Sequence, residues 1–224
     1  MALTAKEKSG MEIEPIPAGV YVATCYGLVD LGTHANPVFG GEQHKILVQW
    51  EVPEVRGEFE RDGQKVNLPR AISKRYTLSL SEKANLRKDL ESWRGRKFTT
   101  QELAGFDLRT LLGATCQLQI VHDTSKEGRT YANIAAIMAL PKGTPKPKPE
   151  NPTMFFSFEE AGDKPTLPNG LPEWIANIVK ESKEWQERYF GCTAPAKTAT
   201  AAVAPAPAPA TAEGPGDEFP DVPF

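Results

Sequence analysis

Eleven side chains have the chemistry to hold a single strand of nucleic acid. Such a strand offers phosphates in a row and flat unpaired bases, so its site needs cations along a groove and accessible rings. The cations are Arg61, Lys65, Arg70, Lys74, Arg75, Lys126 and Arg129. The rings are Phe39, Trp50, Tyr76 and Tyr131. Phe39 stands beside Gly40 and Gly41 in a loop and is the foremost stacking candidate, because an exposed loop ring is costly unless it is used. Trp50 shares a strand face with Ile46 and Val48, which favours core packing. Tyr131 begins a strand and is balanced between stacking and packing at the rim. Lys74 and Tyr76 lie on one face of a strand and Arg75 on the other. If Tyr76 faces the groove, Lys74 goes with it; if Tyr76 is core, Arg75 is the strand contact. Lys83, Arg87 and Lys88 read as solvated, since Asp89 and Glu91 sit among them.

The charge distribution supports a polyanionic ligand. Residues 1–148 hold 21 Lys/Arg against 17 Asp/Glu, whereas residues 149–224 hold 5 against 12. Residues 61–97 alone carry 11 basic and 4 acidic side chains. A basic body joined to an acidic tail suits a polyanion site for which the tail can compete. Enzyme chemistry finds little support. His34, His44 and His122 lie in separate segments without metal-ligand spacing. There is no phosphate-cradling glycine loop and no nucleophile elbow. The expectation is a non-enzyme with neither metal nor cofactor. Cys25, Cys116 and Cys192 are odd in number and lack C-x-x-C spacing, which argues for a reducing compartment. Residues 1–15 are polar, unlike a signal peptide. Residues 134–140, the most apolar run, are too short to span a bilayer. A soluble cytoplasmic protein without membrane contact is expected.

The elements that must position these residues follow in order. Residues 1–16 are a loose lead-in. Residues 20–26 are β-branched and aromatic, with Gly27 marking a bulge before Leu28 and Val29. A loop spans residues 32–41. Residues 44–52 alternate as a second strand that Pro53 ends. A charged hairpin over residues 58–66 turns at Asp62-Gly63. Residues 72–80 form the third strand. Ser81 caps a helix whose stripe is Leu86, Leu90 and Trp93, and Gly95 ends it. Thr99 or Thr100 caps a short turn, and residues 107–112 supply another. Strands over residues 116–121 and 131–140 complete the body. Five strands with a helix between the third and fourth predict a mainly β, OB-fold barrel over residues 17–142, which binds oligonucleotides on one face and in its first and last hairpin loops.

Residues 143–192 are predicted to form a Lys/Pro linker, an apolar hook at Phe155, Phe156 and Phe158, and one helix over residues 173–189. Its apolar side must pack on the barrel or on a second copy in a homodimer. Residues 193–216 are an Ala/Pro-rich disordered tether. Residues 217–224 form an acidic tip of Asp217, Glu218, Phe219, Pro220, Asp221, Val222, Pro223 and Phe224. Its rings suit a pocket, and its terminal carboxylate suits a basic group or a backbone donor.

An acidic run closed by Pro-Phe resembles the end of bacterial single-stranded DNA-binding proteins, although Phe219 and Pro220 interrupt the acids here. The stretches Pro17-Ala18-Gly19-Val20-Tyr21, Ser73-Lys74-Arg75-Tyr76-Thr77-Leu78, Tyr131-Ala132-Asn133-Ile134 and Leu171-Pro172-Glu173-Trp174-Ile175 are similar to phage-encoded members of that group. The resemblance implies a protein that coats single-stranded DNA in replication, recombination and repair, in the cytoplasm of an infected bacterium. It also implies that the tip recruits replication or recombination proteins. The alternative is an OB-fold protein–protein adaptor of a replication complex without strong DNA binding.

Overall fold

The computed structural model describes residues 14–36, 40–61, 64–126 and 128–191. Five strands carry the body: β1 (Gly19–Ala35), β2 (Glu42–Arg61), β3 (Gln64–Thr77), β4 (Thr115–Thr124) and β5 (Thr130–Met138). They form one curled antiparallel sheet in the order β3-β2-β1-β4-β5, an OB-like half-barrel in a mainly β chain. The curl comes from β1, which pairs β4 through Gly19–Thr24 and β2 through Thr24–Ala35. A register shift between Cys25 and Gly27 turns the strand from one partner to the other, the bend that Gly27 predicts.

Alternation along the strands builds the interior. Ile46, Val48, Trp50, Ile72, Cys116, Leu118, Ile120, Ile134 and Ile137 are all buried in one cluster. Helix α1 (Asn85–Arg94), between β3 and β4, adds Leu86, Leu90 and Trp93, with the Trp93 and Trp50 ring centroids 5.7 Å apart. Gly95 ends α1 in the left-handed region, as expected. Helix α2 (Thr100–Ala104) begins with a capping box between Thr99 and Glu102. A 3-10 turn (Leu108–Leu111) follows, capped by Asp107.

Three boundaries differ from expectation. Pro53 does not end β2; it sits within a bulge between Val52 and Arg56, where its missing N–H breaks no ladder bond. The predicted small hairpin is thereby the far end of one long β2–β3 arm. Ser81 does not cap α1: its carbonyl accepts the Ala84 N–H in a preceding turn, and Ala84 takes the cap position without a side-chain bond. The predicted single helix is two, α3 (Glu173–Lys180) and α4 (Lys183–Phe190). Ser182 causes the break, because its hydroxyl accepts the Trp185 N–H at 3.3 Å and so starts a new helix.

This break lets both helices dock on the barrel. Met154, Phe156, Phe158, Ile175, Val179 and Trp185 form a second core with Val29, Leu31 and Leu47 of the barrel's outer face. Strand β6 (Met154–Phe156) pairs in parallel with Gly27–Val29. Gly32, at φ 77°, makes the closest approach: a Cβ there would lie 2.5 Å from that of Ser182. Among the described residues, no helix is long and apolar enough to cross a membrane.

Ile175 is fully buried in this second core. Ile175→Ala is expected to cost about 2–5 kcal/mol through lost burial and a cavity. A urea melt checks this; an unchanged midpoint would mean that the extension contributes nothing to barrel stability.

Candidate nucleic-acid interface

The extension decides which barrel surfaces remain accessible. Buried Glu51 points outward from β2 and accepts N–H groups from Glu150 at 2.8 Å and Asn151 at 2.9 Å, with the Asn151 side-chain amide at 2.7 Å. Arg56 forms a bidentate pair with Glu150, both bonds 2.8 Å. Thr24 donates its hydroxyl to the Pro147 carbonyl at 3.0 Å. The segment from Pro147 to α4 therefore covers the outer side of β1 and β2, part of the face on which OB folds take oligonucleotides.

Three candidates belong to the interior and the barrel seam. Trp50 is 1% exposed, as its strand face predicts, and offers no ring to a ligand. Tyr76 is 5% exposed and donates its hydroxyl to Asp89 at 2.8 Å. Burial, then the Asp89 charge, pushes the Tyr76 phenol well above its usual pKa. Lys74 follows Tyr76 inward. Its Nζ lies 2.9 Å from Asp89 and 3.4 Å from the Ile134 carbonyl, so it spans the seam between the edge strands β3 and β5. These three are corrections to the binding set: alternation alone leaves the face of β3 open, and the half-buried Asp89 partnership resolves it. Arg75 takes the other face, but its guanidinium lies 5.6 Å from the centre of the Trp174 ring, and burial lowers its pKa. The basic count of residues 61–97 is also reduced in effect. Lys74, Arg87, Arg94 and Arg96 are held by Asp89, Glu91 and Glu102.

Lys65, Arg70, Lys126, Arg129 and Tyr131 gather on two hairpins at one end of the barrel. Thr24 of β1 pairs with both Glu51 and Thr115, and Gly19 pairs with Ile120. Strands β2 and β4 thus both run out where β1 begins. Beyond the bulge, six residue pairs from Arg56↔Pro69 to Arg61↔Gln64 form an arm, about 20 Å long at ~3.3 Å per residue. The arm and its root carry Lys65 and Arg70. The β4–β5 hairpin carries Lys126, Arg129 and Tyr131, all exposed. Lys65 makes an exposed pair with Glu58 at 3.6 Å. Phe39, the Arg61 side chain, the tether and the acidic tip lie outside the described residues. Phe59 on the arm, 36% exposed, joins the rings and was missed by strand reasoning. An aromatic inside an otherwise charged hairpin was the available signal.

The three histidines have structural partners. His34 and His122 bond the carbonyls of Leu31 and Ile16. His44 lies 2.7 Å from Asp30 and 3.5 Å from Glu184, with the Thr33 hydroxyl 3.2 Å from its other nitrogen. Hydrogen bonds donated to Asp30 and then to Glu184 raise the His44 pKa to about 10. Burial opposes ionisation of Glu184, but bonds from His44 and Thr33 outweigh it and hold the carboxyl at about 2. Asp30 also accepts the Phe158 N–H at 3.2 Å. The cluster clasps α4 and the hook to the β1–β2 hairpin. Among the described residues, no group of three or more His, Cys, Asp or Glu side chains is arranged to hold a metal ion.

The signs of these shifts define a pH window. The His44 contribution is full below its unfolded value of 6.5 and is lost as pH rises through about 10. The Glu184 contribution is full above 4.5 and is lost as pH falls through about 2. The clasp is therefore tightest between about pH 4.5 and 6.5. His44→Gln is expected to flatten the decline in stability between pH 7 and about 10, read from urea midpoints at each pH. Parallel declines in both proteins would exclude a charged His44.

No protein-family model matches the chain, and no curated protein matches it. The functional reading therefore rests on the chemistry of the two hairpins.

Proposed function

We propose that this chain is a sequence-independent single-stranded DNA-binding protein, of the kind that phages use to coat and protect single strands in replication, recombination and repair. The observation that carries this reading is the pair of projecting hairpins. Both leave the same end of an OB-like barrel, and together they offer Lys65, Arg70, Lys126, Arg129, Phe59 and Tyr131. Cations and rings on projecting hairpins suit phosphates and unpaired bases without reading a sequence. Phe39 and Arg61 belong to the same proposal. The acidic run at residues 217–224 is proposed as a ligand for replication or recombination proteins, with Asp217, Glu218, Phe219, Asp221, Pro223 and Phe224 as its contacts. The protein would act in the cytoplasm of an infected bacterium.

A second reading is favoured by one observation. The extension covers the outer side of β1 and β2, which leaves a smaller free barrel face than an oligonucleotide-binding OB fold usually offers. On that reading the chain is a protein–protein adaptor of a replication complex.

A mobility shift with single- and double-stranded oligonucleotides at two salt concentrations separates the two. The expected result is preference for the single strand, with a log–log salt slope of about −0.7 per phosphate contacted. No binding at low salt, or tighter binding of duplex, would overturn the proposal. Deleting residues 217–224 is expected to abolish capture of partner enzymes while single-strand binding persists.

A further inference from the structure

The arm has two unlike faces. On one, Arg56, Glu58, Lys65 and Asn67 satisfy one another or the extension. Arg56 donates to the Asn67 side chain at 2.7 Å and to Glu150 at 2.8 Å, and Lys65 pairs with Glu58. On the other lie Gly57, Phe59, Val66 and Leu68, because Phe59 pairs with Val66 and Gly57 with Leu68. Arg70 continues this face two residues beyond Leu68.

Gly57 is the informative position on that face. A Cβ there would lie 3.2 Å and 3.3 Å from two Phe59 ring carbons and 3.6 Å from the Arg70 Cγ. The Phe59 ring therefore lies over the bare backbone of Gly57, beside the aliphatic stem of Arg70. The ring is 36% exposed, and a side chain already held against its own hairpin loses little entropy when its exposed part is covered. The Arg70 guanidinium has no ion-pair or hydrogen-bond partner among the described residues.

We propose that Gly57, Phe59 and Arg70 form a stacking platform for one unpaired base, with Arg70 meeting the adjacent phosphate. This inference rests on the single-strand reading above and deepens it. The occupant follows from the chemistry: a flat ring beside a cation that has no partner among the described residues complements a π-face next to an anion, as each nucleotide of a single strand presents. The faces of duplex bases are already stacked on one another, so the platform selects the single strand. The β4–β5 hairpin, with Lys126 and Arg129 at the same barrel end, lies where neighbouring phosphates would continue.

Photo-crosslinking with an oligothymidylate containing 5-iododeoxyuridine tests the platform directly. The adduct is expected on the tryptic peptide of residues 57–61. Phe59→Ala is expected to weaken oligothymidylate binding about 5- to 150-fold, whereas Phe59→Trp retains it. Arg70→Gln is expected to reduce the salt slope by about 0.7. Urea midpoints matching the wild type keep these losses separate from unfolding. If the wild type binds no single strand, the functional reading falls and the platform falls with it. If the wild type binds but Phe59→Ala binds equally well and the adduct maps elsewhere, the platform alone is overturned.

Discussion

A buried carboxylate holds the outer architecture together. Glu51 has no exposed surface, yet it points away from the barrel core on the outer side of β2. An ionised group there is tolerable only if hydrogen bonds replace its water. The amides of Glu150 and Asn151 supply them, with the Asn151 side chain as a third donor. Bonds to a charged acceptor contribute about 1.5–3 kcal/mol each. They fix the chain at the point where it leaves a proline-rich stretch, and β6, α3 and α4 then follow across the same face. The His44 clasp secures the far end of that path through Glu184 on α4. Between these two polar anchors lies the apolar seam of Val29, Leu31, Leu47, Ile175 and Val179.

The fold was largely legible because its signals are local. Period-two alternation located the strands of the barrel, and the Leu86, Leu90 and Trp93 stripe located α1. The bulge at Gly27, the left-handed end at Gly95 and the Thr99 cap each follow from the demands of one residue type. Boundaries failed where a long-range partner overrode the local preference. Pro53 is tolerated inside β2 because a bulge removes the demand for its N–H. Ser182 splits the expected long helix because its hydroxyl caps a new one at Trp185, and Ile175 and Trp185 both lie in the second core.

The site was less legible, for a physical reason. A formal charge count treats every cation as available, but a cation meets phosphate only if no carboxylate holds it first. Asp89 takes both Lys74 and Tyr76, and Glu102 takes Arg94 and Arg96. None of these partnerships is visible in strand alternation, because each joins separate elements. Arg75 escapes the interior only to meet Trp174, from a helix about 100 residues later in the chain. Lys65, Lys126 and Arg129 stay exposed because they lie on hairpins, where the chain has left the barrel.

The covering of β1 and β2 shifts the expected path of a ligand rather than removing it. An OB-like barrel usually offers the flat of its sheet, with hairpins closing over it. Here the extension occupies part of that flat, and the long arm lengthens the rim instead. Both follow from one feature of β2. The strand passes Glu51, which anchors the extension on its outer side, and then bulges at residues 53–55 before continuing as the arm. The bulge also changes which residues share a face, and so brings Gly57 and Phe59 in line with Leu68 and Arg70. Without it, the arm would keep the barrel's register and present Arg56 and Glu58 on that side. The extension's anchor and the ring-bearing face of the arm are therefore set by one short stretch of β2, residues 51–59.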